Sequence, residues 1–212
     1  MIINNSKIKV VVFDWDGTLF DSMGYKPLNA GKVFAEKYGV DSDRVTQLFK
    51  KHSGIPRKNL FQVILNNLNL DFNTKIYNEL SQDFSNLNVL SAKQAGLFDE
   101  VLEILDHLKT KFVLYVSSSS NHNELVTIVN DVGMTSYFAG VWGSVKGFNK
   151  GKEHFDKILI EQNCTLNNLL FIGDDHADQN LAKEAGVSFI KICRSEEEQV
   201  QQIKTLLSLK YL

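Results

Sequence analysis

Cysteine is scarce in this chain: two occur among 212 residues, Cys164 and Cys193, and neither stands at a metal-ligand spacing. That argues against a disulfide scaffold or a structural zinc site, and for reduced thiols in a reducing compartment. Net charge is scarce too. Lys and Arg total 23 against 25 Asp and Glu, a formal charge of -2, so no general attraction to nucleic acid or anionic lipid is expected. The N-terminal stretch MIINNSKIKVVVFDWDGTL has an apolar run too short to span a membrane, and lacks the small-residue cleavage site of a secretory signal. The expected location is cytoplasmic, with neither a membrane nor nucleic acid as partner. Repeats of fixed period and low-complexity tracts are also missing. What remains is an ordinary globular composition, 43% hydrophobic and 23% charged, in a chain long enough for one large domain or a domain with an insertion.

The most informative stretch present is IKVVVFDWDGTLF, residues 8–20. Its Val- and Phe-rich run predicts a strand, and in extended backbone Asp14 and Asp16 project to one side while Trp15 projects to the other. Two carboxylates in one small volume repel unless a cation lies between them or one holds a proton. A metal site or acid/base chemistry accounts for the pair; an acidic strand-to-loop turn is the plainer account.

Four more apolar runs follow, Phe112 to Val116, Gly140 to Trp142, Leu169 to Ile172 and Val187 to Ile192, separated by amphipathic stretches of helical length. This alternation predicts an α/β fold, a Rossmann-like parallel sheet with helices on both faces. Residues 22–92 break the alternation with four helical patterns and no strand, so a core of residues 1–21 and 93–212 is expected to carry an inserted all-helical cap. Asp43, Pro56 and Asn73 read as helix starts, and Gly39 and Gly54 as stops. Leaving from the carboxyl end of a parallel strand, such an insertion is placed to cover a ligand site.

The later strands also run into polar residues. Ser117 to Asn121 offers hydroxyls and amides for an anion, or else caps the next helix. Gly173 to Asp178, GDDHAD, is a second acidic cluster. Asp14 with Asp174 gives hard oxygen ligands from two strand ends, as a magnesium site requires, with Asp178 near enough to orient ligands or waters. Lys150 and Lys152 precede a helical stretch, where one lysine could neutralise the carboxylates and an incoming phosphate.

Taken in order, DWDGTLFDS, the run into Ser117, the lysine before a helix and GDDHAD resemble the four motifs of the haloacid dehalogenase superfamily, in its magnesium-dependent phosphatase branch with a helical cap. The resemblance, phosphoglycolate phosphatase- and β-phosphoglucomutase-like, implies the following roles. Asp14 is the nucleophile that forms an aspartyl-phosphate; Asp16 is the general acid that protonates the leaving oxygen and then activates water. Ser117 binds the transferring phosphoryl group, and Lys150, preferred over Lys152, offsets its charge. Mg²⁺ is held by Asp14, Asp174 and the Asp16 backbone carbonyl, with Asp178 in support. Gly17, Ser118 and Asn121 are the further phosphate-side candidates. In the cap, GIPRKNL makes Arg57 the specificity candidate, and Lys26 could face the same cleft. Asp14 must be ionised to attack; Asp16 must begin protonated, a form that exclusion of water would favour.

Asp16 argues against the dehalogenase and phosphonoacetaldehyde hydrolase branches. A sugar phosphomutase keeps it and is the alternative, weighed down by Lys26 where the compared mutase has histidine. Outside the family, a receiver-like signalling module or a non-catalytic phosphate-binding protein would also group acids, Ser and Lys. The expected partner is a small phosphorylated metabolite, and the expected assembly a monomer or homodimer. His52, His107, His122, His154 and His176 have no metal-ligand spacing, and His176 reads as an exposed loop residue.

Overall fold

The computed structural model describes residues 7–193 and 206–211. Residues 1–6, where part of the N-terminal reading falls, and residues 194–205 and 212, assigned above to the core, lie outside the described residues.

Each of the five apolar runs forms a strand of one parallel sheet, in the order β3-β2-β1-β4-β5. These are β1 Val10–Phe13, β2 Val113–Asn121, β3 Gly140–Ser144, β4 Leu169–Gly173 and β5 Ser188–Lys191. Alternation along β1 divides the core. Val11 and Phe13 pack with Val101, Ile104 and Leu105 of α5 (Val101–Leu108) and Leu125 and Ile128 of α6 (His122–Asp131). Val10 and Val12 pack with Phe155 and Ile158 of α7 (Lys152–Glu161) and Ala182 of α8 (His176–Ala185). With both faces covered, β1 and β4 are buried at every position, which is why they read as unbroken apolar runs.

Register positions the site. Phe13 pairs with Val116 on one side and Ile172 on the other, so the residues that follow all three emerge together at one edge. β1 lies between strands reached by opposite crossovers, where open α/β sheets bind ligands.

Between β1 and α5 the chain forms four helices, α1 Lys26–Tyr38, α2 Ser42–Lys51, α3 Arg57–Asn67 and α4 Thr74–Ala92. They enclose a separate apolar cluster in which Phe61 meets Phe34 and Phe84 edge-on, with ring centroids 5.3 and 5.4 Å away. Each such buried phenylalanine contributes about 2 kcal/mol relative to exposure.

Gly39 ends α1 in the left-handed region, and the Asn73 side chain caps α4 by accepting from the Ile76 N–H, both as expected. The expected start at Asp43 is corrected: Asp41 is the cap and accepts from the Asp43 N–H, as an N-cap two residues before its donor does. Gly54 does not end α2, which stops at Lys51; it lies in the following turn. β2 is longer than expected, running through the serines to Asn121 with a register shift against β3. Among the described residues, no helix is long and apolar enough to cross a membrane.

Candidate active site

The floor of the site comes from the ends of β1 and β4. The Asp14 N–H donates to the Ile172 carbonyl at 2.8 Å, which prolongs the strand pairing by one residue and aims the Asp14 carboxyl beyond the sheet. Asp174 follows β4, and its Oδ1 accepts from Thr18 at 3.1 Å. Gly17, with φ +81°, brings the β1 loop so close that a Cβ there would collide with the Asp174 carboxylate. Asp178 lies in the first turn of α8, held by the Asp175 cap. Asp14, Asp174 and Asp178 each present an oxygen within 4.8 Å of the others.

Lys150 closes this group. Its Nζ donates to Asp14 Oδ1 at 2.7 Å and forms an ion pair with Asp178. Burial raises Asp14 well above the usual carboxylate range, Lys150 opposes the rise, and Asp178, Asp174 and Asp16 add to it. Burial and the neighbouring Asp178 push Asp174 up to about 6, and burial raises Asp178 as well. On Lys150, burial acts downward but Asp14 and Asp178 outweigh it, so the ammonium keeps its proton. Three carboxylates against one ammonium leave a formal charge of -2. Hard oxygen donors with that residual charge fit a divalent ion such as Mg²⁺. Lys152 is elsewhere, an exposed partner of Asp156 within α7.

Asp16 departs from expectation. Burial alone would raise it, but Lys26 donates to Oδ1 at 2.5 Å, Ser120 donates to Oδ2 at 2.6 Å, and the carboxyl falls to about 2. The neutral form expected from water exclusion is therefore corrected. Ten residues along the chain, the first residue of α1 supplies an ammonium that outweighs desolvation. Trp15 turns away as expected, buried and stacked on Phe20.

The serines at the end of β2 do not share one environment. Ser118, Ser119 and Ser120 line the cleft, and the Ser118 Oγ lies 3.4 Å from Asp16. Ser117 does not line it: the residue is fully buried, with Oγ 2.8 Å from His154 Nδ1 on α7. β2 continues past Val116 and shifts register against β3 between Ser117 and Asn121, and Ser118, itself almost fully buried, borders the cleft where Ser117 does not. Asn121 is not among the residues that line the cleft. Its side chain caps α6 through the Asn123 and Glu124 N–H groups, and it borders a separate groove between α4 and α6. His176 is exposed at the start of α8.

The helices α1–α4 roof the cleft with Met23, Lys26, Phe49, Ile55, Arg57 and Phe84 among its lining. Gly54, with φ +88°, seats the α2–α3 turn against Asp175, where a Cβ would collide with the carboxylate. Arg57 reaches the cleft with its guanidinium already bonded, to Ser85 Oγ at 2.7 Å and to Glu124 Oε2 at 2.6 Å, over the Phe84 ring. Sequence reasoning missed Glu124. An acid at the third position of a capped helix has a generic explanation in the helix dipole, and nothing local links it to a residue 67 positions away.

The sequence model of the haloacid dehalogenase-like hydrolases matches residues 11–192. No curated protein is significantly similar in sequence. Among solved structures, a predicted phosphatase from Clostridium acetobutylicum is 21% identical with a TM-score of 0.78, over 96% of this chain and 97% of that one. A predicted phosphoglycolate phosphatase from Haemophilus somnus is 18% identical with a TM-score of 0.74, over 88% and 85%. A HAD-hydrolase from Bacillus subtilis, solved bound to magnesium, is 18% identical with a TM-score of 0.72, over 97% and 98%. At these identities the structures speak for the fold, whereas the sequence match extends through both acidic motifs. The chain belongs to the haloacid dehalogenase-like hydrolase family.

Proposed function

We propose that the protein is a Mg²⁺-dependent phosphatase of small phosphate monoesters, working through an aspartyl-phosphate on Asp14. The observation that carries this reading is Lys150 bridging Asp14 and Asp178 beside Asp174, a charged floor at the closed end of one cleft. Asp14 Oδ attacks phosphorus, the bond to the ester oxygen breaks, and the leaving oxygen takes a proton from Asp16. Water then attacks the aspartyl-phosphate and gives a proton to Asp16, restoring Asp14 and releasing phosphate. Lys150 compensates charge on the transferring oxygens, and Ser118 with the amides near Gly17 orients them.

Asp14 and Asp174, with Asp178 in support, would hold Mg²⁺, which when bound supplies further compensation for that charge. Asp16 is held as an anion by Lys26 and Ser120, so its acid role requires that those bonds be exchanged as substrate enters and that its carboxyl take up a proton from water or from the entering phosphate monoanion. Helices α1–α4 act as the cap, with residues 22–92 as its span.

The test is phosphate release from p-nitrophenyl phosphate with and without Mg²⁺, in wild type and Asp14→Asn. Turnover that needs Mg²⁺ and vanishes in a folded Asp14→Asn variant supports the reading. Inactivity across a broad panel of phosphate esters would sink it.

A further inference from the structure

Three cations line the cleft, Lys26, Arg57 and Lys150, and each already has a carboxylate partner. Lys150 belongs to the floor, where the phosphoryl group sits. The other two lie toward the roof, where the rest of an ester must fit. Lys26 is held by Asp16. Arg57 is held by Glu124, with side-chain exposures of 9% and 0%.

Glu124 is itself tied from several directions. It accepts from Ser85 at 2.7 Å and Asn88 at 3.0 Å, both on α4, and Lys26 lies 3.9 Å away. A substrate anion that drew Arg57 away would leave this carboxylate buried with its closest charge partner removed, a heavily disfavoured state. Around these pairs the roof is apolar, formed by Met23, Phe49, Ile55, Leu60 and Phe84. The roof thus offers hydrophobic contact and two paired cations: Arg57 is held by Glu124, and Lys26, even when it gives up Asp16 as substrate enters, stays beside the same Glu124 carboxylate.

Resting on the phosphatase reading above, we propose that the substrates are phosphate monoesters of uncharged, apolar alcohols or phenols. Glu124 sets this preference: by holding Arg57, it turns away esters whose other end is a carboxylate or a second phosphate. The reaction is hydrolysis, in which ester and water give the neutral alcohol and inorganic phosphate.

The experiment compares kcat/KM for phenyl phosphate, 4-carboxyphenyl phosphate and 2-phosphoglycolate, with Mg²⁺ present. The two aryl esters release phenols of similar acidity and differ in the distal carboxylate. Phenyl phosphate is expected to exceed both charged esters by roughly tenfold or more. Glu124→Gln keeps the side chain's size and frees the Arg57 charge, and is expected to shift the aryl ratio toward the carboxylate by roughly tenfold. Charged esters that match or exceed phenyl phosphate in wild type would overturn the assignment while leaving the phosphatase reading intact. So would an unchanged ratio in folded Glu124→Gln; if that variant does not fold, the wild-type comparison decides. No phosphate release from any of the three esters would overturn the phosphatase reading itself, and this assignment with it.

Discussion

Arg57 on α3 and Glu124 on α6 form a buried ion pair, 2.6 Å long, between the helical insertion and the sheet-packed core. Its two ends belong to elements that pack in separate apolar clusters, and it is one of several polar ties between them. Removing one partner leaves the other charged and buried. Arg57→Met should destabilise the protein by about 3 kcal/mol, and the Arg57→Met, Glu124→Gln double variant by less than the sum of the single changes. Urea unfolding of the three variants measures this; strict additivity would show that the pair contributes no coupling.

Lys26 holds Asp16 at about 2, below its ordinary 3.8. A carboxyl depressed in the folded state adds stability that is complete above 3.8 and is lost as pH falls toward 2, here about 2 kcal/mol. Lys26→Met should forfeit that stability at pH 7 and move the Asp16 carboxyl upward. A ¹³C-detected carboxyl titration reads the shift directly, and an Asp16 still near 2 would refute the role given to Lys26.

Ser118 and Ser117 should respond differently to alanine. Ser118→Ala is expected to lower kcat/KM roughly tenfold or more at nearly unchanged stability. Ser117→Ala should leave kcat/KM within about twofold while costing about 1 kcal/mol, because His154 Nδ1 loses its partner. The opposite pattern would return the phosphate-binding role to Ser117.

Burial, with Lys150 nearby, pushes His154 from its ordinary 6.5 down to about 4. The folded state therefore binds fewer protons than the unfolded state between these values. Stability is level above pH 6.5 and declines as pH falls from 6.5 toward 4, by about 3 kcal/mol in all. Chemical denaturation across that range should give a shallower decline in His154→Gln than in wild type, and parallel curves would contradict the assignment.

Burial raises Asp14, Asp174 and Asp178 together, Asp174 to about 6, so Mg²⁺ must displace protons to bind them. Calorimetric titration should show affinity dropping as pH falls below about 6, by up to about tenfold per unit. Asp174→Asn should abolish the thermal stabilisation that Mg²⁺ gives the wild type. Full stabilisation in that variant would place the ion elsewhere.

The floor of the site was legible because its pieces are local patterns: an apolar run that ends in acid at Asp14 and again at Asp174, with a lysine between them for which the family resemblance favoured Lys150 over Lys152. Sheet and helices were legible for the same reason, since burial on both faces writes itself as unbroken apolar runs. That Ser118 to Ser120 rather than Ser117 line the cleft was not legible, because the sequence marks neither where β2 stops nor where its register against β3 shifts. The ionised Asp16 and the Arg57–Glu124 pair were hidden for another reason. Both depend on side chains that meet only once the insertion has docked, and no periodicity encodes that encounter.

The seating of Gly54 against Asp175 leaves the turn between α2 and α3 without room for one methyl group. Alanine there would have to push aside the Asp175 carboxylate or lift the turn, and would hold a backbone angle that L side chains rarely adopt. Such a variant shows how closely the turn must sit on the start of α8 for the cleft to exclude water.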